Sequence, residues 1–394
     1  MSTVRIIFWV AVGLLAYTYI LYPLILVFVN SIIQTVRDLR FLFRRSGRRV
    51  PMPSDSELPS VSLVIPAYNE EAVIAEKLKN ALALDYPADK LEIVVGSDGS
   101  DDRTNEIVGQ FADRGVKLAA YPERRGKPSV INDTVERATG EIVVLSDATT
   151  LIDADAVRRV VRRFLDPKVG AVNGELRFES PDSEYRGEGL YWRYEVMLKF
   201  MENRLGVVLG SSGALCAVRK TQYRPIPPNC ICDDFLITMN MIIDGHRAVY
   251  DPEARSTEQT AASVEQEVRR RERIGAGNFQ ALRWTLPLLS PTRGWMPFCY
   301  LSHKIFKWTT WLFMLAAFAT NAALVIHPLY RGLFVGQLAF YCLAGLGAAG
   351  VKAPLLGRLA RALYYFVAMH LALFRGFVRY VTGRQSVVWA RGHR

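Results

Sequence analysis

Three short apolar runs of this chain each end in acidic residues. Val61–Ile65 leads into Pro66-Ala-Tyr-Asn-Glu-Glu71, Leu91–Val95 into Gly96-Ser-Asp-Gly-Ser-Asp-Asp102, and Glu141–Leu145 into Ser146-Asp-Ala-Thr-Thr150. Carboxylates at strand ends lie where exposed backbone N–H groups and a hard cation could meet a nucleotide. Singly, each run reads as an ordinary turn, since Asp, Asn, Gly and Ser are common turn formers. Three in succession point to one site. Further along, Asp233 and Asp234 precede a predicted helix over Phe235–Ile243. As a helix-capping pair they can still supply a carboxylate that takes a proton. Arg269, Arg270, Arg271 and Arg273 then form a basic run whose guanidinium forks suit phosphate oxygens.

Such residues need a frame. Val61–Ile65, Leu91–Val95, Lys117–Ala120 and Glu141–Leu145 read as buried strands. Between and after them, helices are expected: one N-capped by Asn69, with Val73, Ile74, Leu78, Ala81 and Leu82 as its apolar stripe, then Thr104–Phe111, Ser129–Ala138 and Asp153–Phe164. This rhythm predicts an α/β fold with an open, mostly parallel, Rossmann-like sheet, ligand lying beyond the carboxyl ends of its strands. No G-x-G-x-x-G and no G-x-x-x-x-G-K-[ST] occurs, which weakens dehydrogenase and P-loop NTPase readings. Five cysteines without a C-x-x-C pair argue against a disulfide scaffold and better fit reduced thiols; Cys230-x-Cys232 has the wrong spacing for zinc.

The 394 residues carry 49 Lys plus Arg against 38 Asp plus Glu, a formal charge of +11. Half are hydrophobic and mean hydropathy is +0.11, too apolar for a disordered chain and high for a soluble enzyme. Ile6–Val29 has no charged residue and is long enough, at about 1.5 Å per residue, to cross a hydrocarbon core of about 30 Å. Arg37, Arg40, Arg44, Arg45, Arg48 and Arg49 follow, with Asp38 the only acid. The adjacent span makes this a membrane-surface cluster, not a nucleic-acid patch, and predicts an outward N-terminus with a cytoplasmic middle region. Trp308–Ile326 and Gly332–Val351 are two more uncharged runs, joined by a tight loop over His327–Arg331. Ala362–Phe374, between Arg361 and Arg375, fits an interfacial segment or a further crossing. The expected organisation is an anchor over 1–35, a basic linker over 36–59, a cytosolic domain over 60–286, and an interfacial helix with membrane helices over 287–394.

Val61–Glu71, Asp98-Gly-Ser100, Gly126-Lys127, Asp147-Ala-Thr149, Asp233-Asp234 and Arg270-x-x-Arg273, in that order over Ser60–Trp284, resemble glycosyltransferase family 2. More narrowly, the set is similar to membrane-integrated members with a GT-A fold, such as hyaluronan, chitin and cellulose synthases and ceramide glucosyltransferases. The resemblance implies an inverting transfer from a nucleotide-sugar, usually a UDP-sugar, with Mg²⁺ or Mn²⁺. The acceptor would be a polysaccharide or lipid at the cytoplasmic face of the membrane.

It further implies that Ala67, Tyr68 and Glu70 line the uridine pocket, that Asp98 contacts uracil or ribose, and that Lys127 sits near the phosphates. Asp147 would be the metal ligand, Asp234 the general base with Asp233 tuning it, and Ser211, Ser212 and Gly213 the acceptor loop. Arg270 and Arg273 would neutralise the departing diphosphate, while Arg269 and Arg271 read as a solvated helix face. Two departures stand out. Thr149 replaces the second Asp of a D-x-D pair, and a hydroxyl is the poorer ligand for a hard cation. Ile274 replaces the Trp after the second arginine, removing a stacking surface for the acceptor sugar. A single-transfer lipid glycosyltransferase, a membrane-bound nucleotidyltransferase and a non-catalytic scaffold are the competing readings.

Overall fold

The computed structural model describes residues 2–44, 51–179, 186–259, 264–351 and 353–384. Arg45, Arg48 and Arg49 of the basic cluster lie outside the described residues. The first expected strand, β1 (Val61–Ala67), is apolar along nearly its whole length because both of its faces are covered. It pairs in parallel with β2 (Leu91–Asp98), which pairs with β3 (Val116–Tyr121), and on its other side with β4 (Ile142–Leu145). The sheet then continues through strands the alternating pattern did not announce. With β5 (Leu151–Ile152), β6 (Val169–Glu179), β7 (Cys216–Arg219) and β8 (Arg247–Gln259), its order is β3-β2-β1-β4-β7-β6-β8-β5. The β4–β7, β6–β7 and β5–β8 pairings are antiparallel and β6–β8 is parallel, so the sheet is mixed.

A long N-terminal helix is made of α1 (Ser2–Ala16) and α2 (Tyr22–Arg44), with a π-helical turn over Tyr17–Leu21 between them. Around the sheet lie α3 (Ile74–Leu82), α4 (Thr104–Gly109), α5 (Lys127–Arg137), α6 (Ala156–Val161), α7 (Arg186–Arg204), α8 (Asp233–Ile243) and α9 (Val264–Thr285). The C-terminal part holds α10 (Met296–Cys299), a π turn over Tyr300–Ile305, α11 (Phe306–Trp308), α12 (Thr310–Ala323), α13 (Pro328–Ala348) and α14 (Pro354–Val381). One apolar core joins β1, β2 and β4 to α3 and α6; a second, on the opposite face, joins the sheet to α5 and α8. A third, centred on Tyr22, Leu198, Met239, Leu288 and Trp308, ties the N-terminal helix and the C-terminal part to the α/β domain.

Several expectations shift. Asn69 does not cap α3: it adopts a left-handed φ of 53° and exchanges side-chain hydrogen bonds with Asp101, and the helix begins at Ile74. The cap of α8 is Cys232, so Asp233 and Asp234 are its first two residues and not an N-cap pair. Ser2–Phe41 and Pro328–Ala348 are long and apolar enough to cross a membrane. The run Trp308–Ile326 is interrupted at Thr309, leaving α12 with 14 residues. Ala362–Phe374 lies inside the single helix α14, whose Arg375 and Arg379 pair with the buried Glu272 of α9 at 3.1 and 2.6 Å. Cys216, Cys230, Cys232, Cys299 and Cys342 are free thiols.

Candidate active site

The loops after β1 and β2 spend much of their polar capacity on each other. Glu70 N–H donates to Thr104 Oγ1 (2.8 Å), Glu71 N–H to Asp102 Oδ2 (3.2 Å), and Asp101 N–H to Asn69 Oδ1 (3.0 Å). Ala67 is buried at the end of β1, and Tyr68 lies with its ring 3.6 Å from the Arg124 guanidinium. Asp98, buried at the end of β2, accepts from the N–H groups of Arg125 (2.7 Å) and Gly126 (2.9 Å). It therefore fixes the turn that starts α5 and aims Lys127. Each carboxylate oxygen retains a lone pair for a ligand.

Lys127 turns into a cleft lined by Pro66, Ser146, Asp147, Gly213, Asp233 and Asp234. Its ammonium lies 2.7 Å from Asp147 Oδ1 and 3.2 Å from Asp233 Oδ2. Burial alone would lower its pKa; the two carboxylates outweigh burial and raise it. Burial likewise would raise Asp147, but Lys127, then Lys77 and Arg270, hold this carboxyl below the ordinary range. Gly213 joins the two sides of the cleft. Its C=O accepts from Asp147 N–H (2.9 Å) and its N–H donates to Asp234 Oδ2 (3.1 Å). A Cβ there would sit 2.5 Å from Asp147 Oδ2, so any side chain at this position would displace the Asp147 carboxylate. Ser211 Oγ donates to Asn173 Oδ1 (2.8 Å), and Ser212 Oγ accepts from Ala214 N–H (3.2 Å), which holds the loop in place.

Asp234 behaves oppositely to Asp147. Burial first, and the neighbouring Asp233 charge second, push its pKa up to about 6. The Lys127 charge and the Phe235 N–H, which donates to Asp234 Oδ1 at 2.7 Å, pull the other way but do not prevail. The arginines of α9 separate. Arg270 lies 5.8 Å from the Phe178 ring and acts on the Asp147 charge, while Arg273 reaches toward Ile231 C=O at 3.5 Å, in the turn leading to α8. Arg269 is exposed, whereas Arg271 is not the solvated residue expected. Its Nε donates to the nearly buried Glu267 at 2.6 Å.

Sequence reasoning missed three residues. Lys77 is fully buried in α3 and donates to Ser146 Oγ and Thr150 C=O, both at 2.7 Å, bracing the loop that carries Asp147. Burial pushes its pKa down to about 7 against the pull of Asp147. The signal was available: Lys77 falls between Ile74, Leu78 and Ala81 on the core-facing stripe. Asn173 holds Ser211, and Glu258 accepts from Thr149 Oγ1 at 3.1 Å; both come from strands not foreseen.

Among the described residues no three His, Cys, Asp or Glu side chains converge on a metal-binding point. The available donors are the Asp147 carboxylate and the Thr149 hydroxyl beside Glu258. A small hard cation is commonly held by one or two carboxylates with substrate phosphates completing its shell, and this set fits that arrangement.

An open mixed sheet with acids and cations gathered at the ends of its parallel strands is the layout of the GT-A architecture. The fold is similar to that of mannosyltransferase PcManGT from Pyrobaculum calidifontis, solved with GDP-Man and Mn²⁺, at a TM-score of 0.68 over 96% of this chain and 99% of that one, with 23% identity. The model of the family described as "Glycosyltransferase like family 2" matches residues 59–277, more than half of the sequence. The chain belongs to glycosyltransferase family 2. It is 28% identical over 234 residues to poly-beta-1,6-N-acetyl-D-glucosamine synthase of Staphylococcus aureus (strain COL), a match spanning 56% of each chain. With "Probable glycosyltransferase YdaM" of Bacillus subtilis (strain 168) it shares 27% identity over 305 residues, 72% of this chain and 70% of that one.

Proposed function

We propose that this chain is a membrane-embedded inverting glycosyltransferase that moves a sugar from a nucleotide-sugar, a UDP-sugar in the first instance, to a polysaccharide or lipid acceptor at the cytoplasmic face. The observation that carries the reading is the bridge at Gly213, which puts Asp147 and Asp234 on opposite sides of one residue while their environments drive their acidities apart. Pairs of this kind divide ionic and proton-transfer work.

In this mechanism Tyr68, Ala67 and Glu70 form the base side of the donor pocket, and Asp98 lies at its rim. Lys127, Arg270 and Arg273 lie toward the diphosphate. Asp234 accepts the proton of the acceptor hydroxyl as that oxygen bonds to the anomeric carbon. The bond from that carbon to the diphosphate breaks on the opposite face, and its electron pair leaves with the nucleoside diphosphate. Asp233 keeps Asp234 basic enough to serve. Ser211, Ser212 and Gly213 give the acceptor a small-residue surface to approach. Asp147, with Thr149, would hold Mg²⁺ or Mn²⁺, which neutralises leaving-group charge when bound; the Mn²⁺ in the PcManGT complex supports this. The long apolar helices Ser2–Phe41 and Pro328–Ala348 support membrane insertion, with 60–286 as the cytoplasmic unit between the anchor and linker (1–35, 36–59) and the membrane region (287–394).

Purified full chain in lipid, given a panel of UDP- and GDP-sugars with Mg²⁺ or Mn²⁺, tests the reading by nucleoside diphosphate release and product mass. Release accompanied by acceptor mass increments is expected; a ladder means repeated transfer and a single increment means one. No release from any donor would contradict it.

A further inference from the structure

Helix α9 presents two working faces. Glu272, Gly275, Ala276 and Phe279 fall on one stripe at helical spacing, and Arg273, Gly277 and Gln280 fall on another. The first stripe packs against α14. Glu272 pairs with Arg375 and Arg379, and the Phe279 and Phe377 rings lie 5.0 Å apart. Between these contacts a Cβ on Gly376 would stand 2.6 Å from the Glu272 carbonyl oxygen and 2.8 Å from the Ala276 nitrogen. Any side chain there would force the two backbones apart, so α9 is held firmly from behind.

The second stripe faces residues 229–232, the turn that leads into α8. Cys230 and Ile231 are buried, so their N–H groups need partners within the protein. Cys230 N–H donates to Pro227 C=O (2.9 Å), inside the turn. The next partners come from Gln280, itself buried: its Oε1 accepts from Ile231 N–H (3.0 Å) and its Nε2 donates to Asn229 C=O (2.7 Å). One amide thus clamps three residues of main chain, and the order of acceptor and donor fixes which way round it sits. A Cβ on Gly277 would collide with Cys232 Sγ, which places the α9 backbone directly against the residue that caps α8.

Asp233 and Asp234 follow that turn without an intervening residue. Their own bonds orient the carboxylates: Asp234 accepts from Gly213 N–H (3.1 Å) and Phe235 N–H (2.7 Å), and Asp233 pairs with Lys127 at 3.2 Å. Those bonds act on a main chain that must already be in place. We infer that Gln280 is a positioning residue for Asp234: it sets the main chain before α8, so that the carboxylate meets the acceptor hydroxyl, and α14 keeps α9 rigid behind it. Gln280 touches neither donor nor acceptor in this role and acts through the turn. A misplacement of about 1 Å at a reacting group can cost on the order of 10²-fold in rate, so a distant clamp can matter this much. The role rests on the transferase reading above and adds a residue to it.

A double-mutant cycle tests it on the full chain in lipid nanodiscs. Gln280→Met, similar in length but without either hydrogen bond, is made in the unsubstituted protein and in Asp234→Asn. The UDP- or GDP-sugar that supports release in the panel above is titrated calorimetrically, which gives donor Kd and the number of binding sites. Turnover is then expressed per donor-binding site, so unfolded protein does not count. In the unsubstituted background Gln280→Met should leave donor Kd within about twofold and lower kcat by about 10–100-fold. In the Asp234→Asn background it should lower kcat by less than about twofold, because the group it positions is already disabled. Should the Met variant bind no donor, Gln280→Glu, which keeps the shape and one acceptor oxygen but loses the N–H to Asn229 C=O, runs through the same cycle with the same expectations. Unchanged kcat, a loss of donor affinity as large as the loss of kcat, or a loss repeated in full on top of Asp234→Asn would each overturn the positioning role. The transferase reading fails separately, if the unsubstituted protein releases no nucleoside diphosphate.

Discussion

The two halves of the sheet meet at β4 and β7, and they differ in both construction and electrostatics. The first half, β3-β2-β1-β4, is parallel; its loops supply Asp98 and Asp147, and Lys127 comes from the helix after β3. The second, β7-β6-β8-β5, is mixed and, with α8 and α9, supplies Gly213, Asn173, Asp234 and the arginines. On the first side cations outnumber acids around Asp147 and keep it ionised. On the second, burial and a like charge hold Asp234 near the acidity a base needs. One glycine separates these environments. A cleft can thus hold a permanent anion and a carboxylate that takes up a proton more readily side by side when the cations are concentrated around the first.

The largest expected effect breaks the second side alone. Asp234→Asn should lower kcat by about 10²–10⁴-fold while nucleotide-sugar binding persists, because only proton transfer is lost; isothermal titration alongside turnover checks both. Next comes the join. Gly213→Ala forces a methyl group against Asp147 Oδ2, so the Asp147 carboxylate must move off Lys127, at a cost of about 1–3 kcal/mol of stability, and both donor binding and turnover should fall. Thermal melts and steady-state kinetics on the variant show whether the two sides are coupled there.

Lys77 sharpens the comparison from the first side. Lys77→Met leaves Thr150 C=O without its donor and should cost about 1–3 kcal/mol. The native pKa of about 7 lies below the ordinary lysine value, so the unfolded chain binds the extra proton between those two values. Stability of the unsubstituted protein should therefore gain a rising component above about pH 7, and Lys77→Met should lack it; denaturant melts across that window decide. The smallest effect separates neighbours on α9. Arg271→Ala should cost stability, about 1–2 kcal/mol from the carboxylate left at Glu267, while catalysis by the folded fraction is largely kept. Arg273→Ala should chiefly lower kcat/KM. Equal catalytic losses would mean the basic run works as a whole.

The first half was legible because parallel strands buried on both faces write continuous apolar runs, with a helix between each pair. Their loops follow in sequence order, so Asp98 and Asp147 could be placed at strand ends from the sequence, whereas Lys127, at the start of α5, came only with the family resemblance. The second half pairs β4 with β7 and β6 with β8 across wide sequence separations, and nothing local announces such pairing. Strand β8, reading Arg-Ala-Val-Tyr-Asp-Pro-Glu-Ala-Arg-Ser-Thr-Glu-Gln, is polar and contains Pro252, which hid both the strand and Glu258. The helix opening at Asp233 was recognisable, but its cap one residue earlier was not, since Cys232 carries no capping signal. Asn69 was assigned to a cap from residue type alone, whereas its left-handed backbone and the bonds to Asp101 depend on a loop 32 residues away.

The division of labour between the two carboxylates is tested most directly by the pH dependence of kcat/KM, measured on the unsubstituted protein and on Asp234→Asn. A base with pKa about 6 must be unprotonated to accept the acceptor's proton, so activity should fall about tenfold per pH unit below that value. The residual activity of the Asn variant should lack this limb. An acid limb displaced to about 4, where an unperturbed aspartate titrates, or a limb near 6 that survives Asp234→Asn, would contradict the assignment.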